Sequence, residues 1–127
     1  AHLGWKPTGR HLLPKVLSKM NDVFGTDPQH VHAWIGPSIS AQSYAQSEVL
    51  QKDDSAWQPY ITETANGSYQ IDLHTYNIDQ LLEAGIARDD VTPTPTDTAA
   101  DQNYFSHYRA IRTGEPEGRF ATIAALQ

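Results

Sequence analysis

The sequence predicts a mixed α/β fold, in which a mixed sheet is layered with helices. Apolar residues recur with helical spacing in two segments that each end at a glycine. Shorter segments with alternating apolar residues, or with two strand-like stretches around a turn, lie between those helices. The chain has 127 residues, which suffices for one hydrophobic core and not for two, so we expect a single domain over 1–127.

The first 25 residues predict a strand end and then a helix. The opening segment AHLGWK, 1–6, is typical of the end of a buried strand that runs into a loop. A helix is predicted to begin near Arg10 or His11 and to end at Gly25, which suits the position after a helix C-terminus. Pro14 is compatible with this helix because the first turn has backbone N–H groups without intrahelical partners.

The next segments predict a strand, a loop and a short helix. A strand over 30–36 has two distinct sides, with Val31, Ala33 and Ile35 on one and His30, His32 and Trp34 on the other. The segment GPSIS, 36–40, forms a tight loop directly after this strand, and loops at strand ends often face ligands. A short helix is expected within 43–51.

The second half of the chain predicts a hairpin, a helix and a last strand. Two strand-like stretches within 60–73 flank Asn66-Gly67, which is a strong hairpin signal. Asp72 is a candidate N-cap for a helix that Gly85 closes. The segment 92–101 holds two prolines and is predicted to be a loop or an edge segment. A terminal strand is predicted over 118–126.

The composition excludes several functional classes. The net charge of −6 argues against a non-specific nucleic-acid binder, which depends on Lys and Arg for contacts with phosphates. The chain has no cysteine, so a disulfide, a cysteine-ligated zinc within this chain and a thiol nucleophile are excluded. No apolar segment approaches the length that spans a bilayer, and no secretory segment is present. We therefore expect no membrane partner and a cytoplasmic setting.

Histidine and arginine side chains are the candidates for chemistry. His2 is either a metal ligand or general base at a strand end, or a partly buried histidine with a backbone partner. His30 and His32 share a strand face and either bind a metal together or lie exposed on that face. His107 and Arg109 belong to the segment SHYR, which is either an anion site or a surface loop. These alternatives stay open on the residues alone.

Four segments that occur in order resemble one family. AHLGWK, AWIGPSIS, YQIDL and YFSHYR…GRFATI are similar to HAGWRG, AWLGPAIG, a Y-x-x-DL segment and FFSYRR…TGRMA of the YfiH family. Its members are also called multicopper polyphenol oxidase or laccase-domain proteins, and purine nucleoside phosphorylase-like proteins. The resemblance covers nearly the whole chain and implies a layered mixed α/β sandwich.

The resemblance also implies an activity and a cofactor. Family members cleave adenosine, inosine or methylthioadenosine with phosphate in a zinc-dependent reaction, and they deaminate adenosine. An older description makes them copper-dependent oxidases of phenols. In the family two histidines and one cysteine hold the metal. His2 matches one of these ligands, and the other two lie upstream of the matching motif.

The chain therefore resembles the C-terminal half of a family domain, which makes it an incomplete domain. This explains why the chain seems to begin inside an element. The implied partners are purine nucleoside and phosphate, together with the missing N-terminal half or a second copy of the chain. A non-catalytic remnant that associates with a partner chain is the remaining alternative.

Some positions depart from the family pattern. Lys6 replaces the arginine of the first motif, which keeps the charge and loses the planar fork. Pro7 replaces the glycine that follows, and Tyr108 replaces the first arginine of the RR pair. The family's Cys-Thr pair corresponds here to Thr96-Asp97, and its tyrosine and acidic pair to Tyr44-Ala45.

Site roles follow from the chemistry that phosphorolysis requires. Phosphate has to lie near the anomeric carbon of the ribose, and we expect Lys6 and Arg109 to act in catalysis by holding it there. Trp5 or Tyr44 is expected to bind the substrate by stacking on the purine. His2 is the expected metal ligand. Because His2 is one ligand of three, we expect the isolated chain to be inactive.

Overall fold

The computed structural model describes residues 1–125. Four α-helices lie in this part of the chain: α1 (Trp5–Gly9), α2 (Leu12–Phe24), α3 (Leu73–Glu83) and α4 (His107–Thr113). The strands there are β1 (Ala33–Ile35), β2 (Ala45–Gln46), β3 (Ile61–Glu63), β4 (Tyr69–Ile71) and β5 (Val91–Pro93). Single 3₁₀ turns precede β1, β3 and β5 at Pro28–His30, Gln58–Tyr60 and Arg88–Asp90.

The strands form two small sheets of different kinds. β1 and β5 pair in parallel, with Ala33 opposite Val91 and Ile35 opposite Pro93. β2, β4 and β3 form an antiparallel sheet with β4 in the centre. Parallel and antiparallel pairing together confirm the predicted mixed α/β class, with the sheet divided into two parts.

Helix α3 connects the two apolar clusters of the core. Its N-terminal half packs with the antiparallel sheet in cluster A, which contains Val49, Trp57, Ile71, Leu73 and Tyr76. Its C-terminal half packs with α2 and the parallel sheet in cluster B, which contains Leu17, Leu81, Ile86 and Val91. One amphipathic helix thus holds both sheets in a fixed relation.

The helix ends are close to the predicted ones. α2 begins after His11, whose φ of 52° places it in the left-handed region, and ends at Gly25, whose φ is 66°. The carboxylate of Asp72 accepts the backbone N–H of Thr75 and thereby caps α3. Gly85 has φ of 101° and follows α3 as the glycine of a Schellman motif, in which Ile86 N–H donates to Leu81 C=O.

The hairpin and the alternating strand are also confirmed. β3 and β4 flank the Asn66-Gly67 turn, and Gly67 has φ of 78°. Side chains at 31, 33 and 35 pack against cluster B, whereas those at 30, 32 and 34 are exposed. The strand itself is limited to Ala33–Ile35, because the 3₁₀ turn occupies the residues before it.

Three predicted elements are wrong. Residues 1–4 form no strand, and Trp5 already begins α1, since Thr8 N–H donates to Gly4 C=O. The predicted helix at 43–51 is replaced by β2 and turns, because Ala45 and Gln46 pair with β4. Residues 118–125 form no strand, as they meet no partner strand within 1–125. The last residue of that predicted strand, Leu126, lies outside the described residues.

Candidate functional site

Trp5 and Tyr44 lie against the same apolar cluster although they are 39 positions apart in the chain. Both side chains are half-buried and pack on cluster A. Burial raises the pKa of Tyr44, so its phenol remains neutral at physiological pH. The two predicted substrate-binding aromatic residues thus pack against the same apolar cluster.

A buried polar network fixes α1, the helix that carries Trp5. The Nε2 group of Gln80 donates to the backbone carbonyl of Thr8 at 3.0 Å. The Thr8 hydroxyl donates to the Asn77 side-chain carbonyl at 3.1 Å. Thr8 and Gln80 are fully buried, with exposed fractions of 0% and 1%. These buried hydrogen bonds make the α1–α3 contact specific, because a displacement of α1 would leave the Thr8 hydroxyl and the Gln80 Nε2 group without their partners.

Lys6 lies on the exposed side of α1, next to Trp5. Its ammonium nitrogen is 5.8 Å from the centroid of the Trp5 ring. Lys6 also lines a shallow groove between α1 and α2 together with Arg10 and Lys15. The predicted phosphate-binding lysine therefore borders a cationic depression.

The Arg109 guanidinium is hydrogen-bonded to a carboxylate and to backbone carbonyls of its own chain. Its Nε donates to the Glu115 carboxylate at 2.6 Å, and its side chain is only 17% exposed. Its two Nη nitrogens donate to the backbone carbonyls of Thr98, Ala99, Asp101 and Tyr104. These hydrogen bonds hold the loop before α4 in place. The guanidinium therefore has a structural role.

His2 is exposed, and the structure gives it no set of metal-ligating neighbours. No group of three or more His, Cys, Asp and Glu side chains converges anywhere in residues 1–125. A tetrahedral zinc site with an open position requires three protein ligands. Residues 1–125 by themselves therefore do not fit a complete metal site.

The other candidate histidines lie apart from His2. His32 Nδ1 is 2.8 Å from the Asp90 carboxylate, and His107 Nδ1 is 2.8 Å from the Glu117 carboxylate. His30 is exposed at the end of a 3₁₀ turn. Within the described part of the chain, each of these histidines is therefore a surface residue and not part of a metal cluster.

Two further arrangements were not predicted from the sequence. The Tyr108 hydroxyl donates to the Ala45 carbonyl at 2.6 Å and accepts the Ala45 N–H at 3.1 Å. The Tyr44 and Tyr108 rings meet edge to face at 5.4 Å, and the Arg112 guanidinium lies 3.7 Å from the Tyr108 ring centroid. Tyr108 thus attaches α4 to the strand beside Tyr44, a link that no local pattern indicates.

The Asp97 carboxylate holds the loop that follows β1 by hydrogen bonds. It accepts the hydroxyls of Ser40 and Ser43, at 2.5 and 2.6 Å, and the Ala99 N–H at 2.8 Å. Partial burial raises the pKa of Asp97, but these hydrogen bonds outweigh it and hold the pKa at about 2. The segment 36–40 therefore forms the loop predicted for it, held in place by an ionised carboxylate.

The whole chain matches one known protein family. A family model described as "Multi-copper polyphenol oxidoreductase laccase" matches residues 1–127. The chain is 26% identical over 113 residues to purine nucleoside phosphorylase YlmD of Bacillus subtilis, and 31% identical over 126 residues to a purine nucleoside phosphorylase of Bacteroides thetaiotaomicron. These alignments cover 86% and 93% of this chain but 41% and 45% of the relatives.

Two solved structures resemble this fold. YlmD from Geobacillus stearothermophilus matches with a TM-score of 0.75 at 26% identity, and Bacillus licheniformis hypothetical protein YfiH with 0.72 at 24%. Each match covers 86% of this chain and 43% of the solved chain. The chain therefore spans about half the length of the proteins it matches.

Proposed function

Because the chain belongs to the multi-copper polyphenol oxidoreductase laccase family, we propose that it forms the C-terminal part of a purine nucleoside phosphorylase. The names of the curated relatives support this activity. The proposed substrates are adenosine, inosine or methylthioadenosine with phosphate, and deamination of adenosine is a second proposed reaction. We place the protein in the cytoplasm. Among residues 1–125, no helix is long and apolar enough to cross a bilayer.

The placement of Trp5 and Tyr44 on one cluster is the observation that carries the proposal. A purine is a flat aromatic system and is held well by stacking or edge-to-face contact with such rings. The core beneath both side chains restricts their motion, so little conformational entropy is lost when a base binds.

Lys6 supplies the charge that the reaction requires. In phosphorolysis a phosphate oxygen forms a bond to the anomeric carbon while the bond from that carbon to the purine nitrogen breaks. The bonding electrons leave with the purine, which takes up a proton. A cation beside the phosphate holds the nucleophile in position and offsets its charge. Arg109 is not part of this proposal, because its guanidinium is engaged by Glu115 and backbone carbonyls.

His2 is the one residue of this chain that we propose as a metal ligand. We propose that His2 contributes one ligand to a zinc site whose other ligands come from another part of a complete family domain. Copper is the alternative metal, and the family description favours it as the basis of a phenol oxidase. No step of the reaction above is assigned to the metal, since the described part of the chain does not complete its site.

The parallel sheet suggests where the rest of a family domain packs. Parallel sheets are normally covered on both faces, yet β1 and β5 form a two-stranded sheet whose outer face presents Trp34 at 54% exposure. The matched structures are more than twice as long as this chain's matching part. We propose that the N-terminal half of a complete family domain covers this face; a second copy of the chain is the competing occupant.

The experiment measures ribose 1-phosphate released from inosine and phosphate. The chain alone is expected to release none, and the chain mixed with the complementary N-terminal half and zinc is expected to be active. Activity of the chain alone would overturn the idea of a divided site. Inactivity of the reconstituted pair would overturn the phosphorylase assignment. Copper bound in place of zinc, together with oxidation of a phenol, would favour the oxidase.

A matched pair of variants then tests the site. Trp5→Ala in the reconstituted enzyme should raise the KM for inosine by about tenfold, because a stacked base loses roughly 1–3 kcal/mol. Phe24→Ala removes an exposed aromatic ring at the far end of α2 and should leave the KM unchanged. Equal effects of the two substitutions would contradict the stacking role of Trp5.

A further inference from the structure

Positive charge is concentrated at the N-terminal end of an acidic chain. Four of the nine Lys and Arg residues lie within positions 1–21, and none of the fifteen Asp and Glu residues does. These four are Lys6, Arg10, Lys15 and Lys19. The net charge of the whole chain is −6, so this segment is opposite in sign to the rest.

The fold places three of these four charges along one groove. A depression of about 270 Å³ between α1 and α2 is lined by Lys6, Arg10 and Lys15, with Pro7 and Leu12 as its apolar walls. A second depression of about 390 Å³ shares Lys15 with the first and is also lined by Lys19 and the Asp22 carboxylate. Cations of both helices thus line the first depression, whereas the second contains an acidic group as well.

The charges in the groove are available to a ligand. The Lys15 ammonium donates to the Arg10 backbone carbonyl at 2.6 Å, which fixes its position beside the end of α1. Neither Lys6 nor Arg10 forms a salt bridge to any carboxylate of residues 1–125. Two cations without a counter-charge and one anchored ammonium therefore border the same small volume.

We propose that the groove of Lys6, Arg10 and Lys15 binds a phosphate group, with Arg10 and Lys15 completing the phosphate subsite begun by Lys6. This inference rests on the proposed function for the identity of the anion as a cosubstrate. Arg10 supplies a planar set of N–H donors that matches phosphate oxygens, and the two lysines supply point charges. In this proposal the groove holds the phosphate that Arg109 was expected to hold.

A small phosphate fits this groove better than a large polyanion does. The depression of about 270 Å³ has the volume of a small ligand, and Pro7 and Leu12 form the apolar part of its wall. An extended polyanion would also approach the acidic remainder of the chain and be repelled by it. The chemistry is shared by free phosphate and by a sugar phosphate, so both have to be tested.

The experiment follows backbone amide signals of the ¹⁵N-labelled chain by NMR during titration with inorganic phosphate. The ionic strength is held constant with chloride, so that electrostatic screening is the same at every phosphate concentration. Shifts are expected in residues 6–15. Arg10→Gln and Lys15→Gln should each weaken binding by about tenfold, as expected for loss of one charged hydrogen bond. Lys52→Gln makes the same charge change outside the groove and should have no effect.

Further titrations separate the sources of the ligand. Binding of ribose 1-phosphate more tightly than inorganic phosphate would identify the sugar phosphate product as the occupant and support the subsite. Equal phosphate affinity in all three variants would overturn it. Binding of polyglutamate without phosphate binding would also overturn it and mark a surface for an acidic protein. No turnover is measured, so absence of phosphorylase activity would leave this test intact.

Discussion

The Arg109 guanidinium donates through Nε to the Glu115 carboxylate at 2.6 Å and through Nη1 to the Thr98 carbonyl at 2.7 Å. It thereby joins the start of α4 to the segment after the helix and to the loop before it. A side chain that the sequence suggests as an anion ligand is used by the fold as an internal clamp.

Substitution of Arg109 should therefore destabilise the protein. Arg109→Gln leaves several backbone carbonyls with fewer partners, and we expect the free energy of unfolding to fall by about 2–4 kcal/mol. Urea denaturation followed by circular dichroism measures this change. Arg119→Gln is the matched control, because the Arg119 side chain is 78% exposed and its loss should cost less than about 1 kcal/mol. Similar losses for both variants would show that Arg109 is no clamp.

Asp97 should make the protein sensitive to acid. Its pKa is lowered from 3.8 to about 2, so the folded state favours the ionised form. The stability that this provides is complete above about pH 4 and is lost as the pH falls through 2. Unfolding midpoints measured from pH 5 to pH 2 should show the loss. In Ser40→Ala and Ser43→Ala the pKa of Asp97 should rise. In Asp97→Asn the loss of stability between about pH 4 and pH 2 that this carboxylate causes should disappear. An unchanged pH profile in Asp97→Asn would contradict the prediction.

The buried Thr8 hydroxyl should determine how firmly α1 is held. Thr8→Val keeps the shape of the side chain and removes the hydrogen bond to Asn77, which should cost about 1–2 kcal/mol. In this variant the amides of α1 should exchange with solvent faster than they do in the unsubstituted protein, and the increase should be larger than for the amides of α2. Thr92→Val, at an exposed position of β5, should change the free energy of unfolding by less than about 0.5 kcal/mol. Unchanged exchange in α1 would show that the network is not what holds this helix.

Much of the fold can be read from local patterns. α2, the hairpin turn and the Asp72 cap each depend on residues that are close in sequence, and each was predicted near its observed position. Elements that depend on distant partners were not predictable in this way. β2 exists because Ala45 meets β4, and the predicted final strand does not form because residues 118–125 meet no strand in the described structure.

In the candidate site, too, features that depend on residues close in sequence were predicted, and features that depend on distant partners were not. The local motif around Trp5 and Lys6 identified residues that the fold places beside a groove and a core cluster. The partners of Arg109 include backbone carbonyls, and their positions depend on the conformation of the loop. No residue pattern in the sequence predicts them. The concentration of Lys and Arg within 1–21 is present in the sequence, but it was not used to predict the site, and so neither Arg10 nor Lys15 was named as a candidate.

The exposed Trp34 should be required for association with the rest of a family domain. Trp34→Glu places a charge on the outer face of the β1–β5 sheet, where a partner would have to desolvate it, and should weaken binding of the complementary half by at least about tenfold. Phe24→Glu makes a comparable change at a position that is 78% exposed at the end of α2. Analytical ultracentrifugation of mixed halves measures both. If Phe24→Glu abolishes association and Trp34→Glu does not, the partner covers α2 and not the sheet.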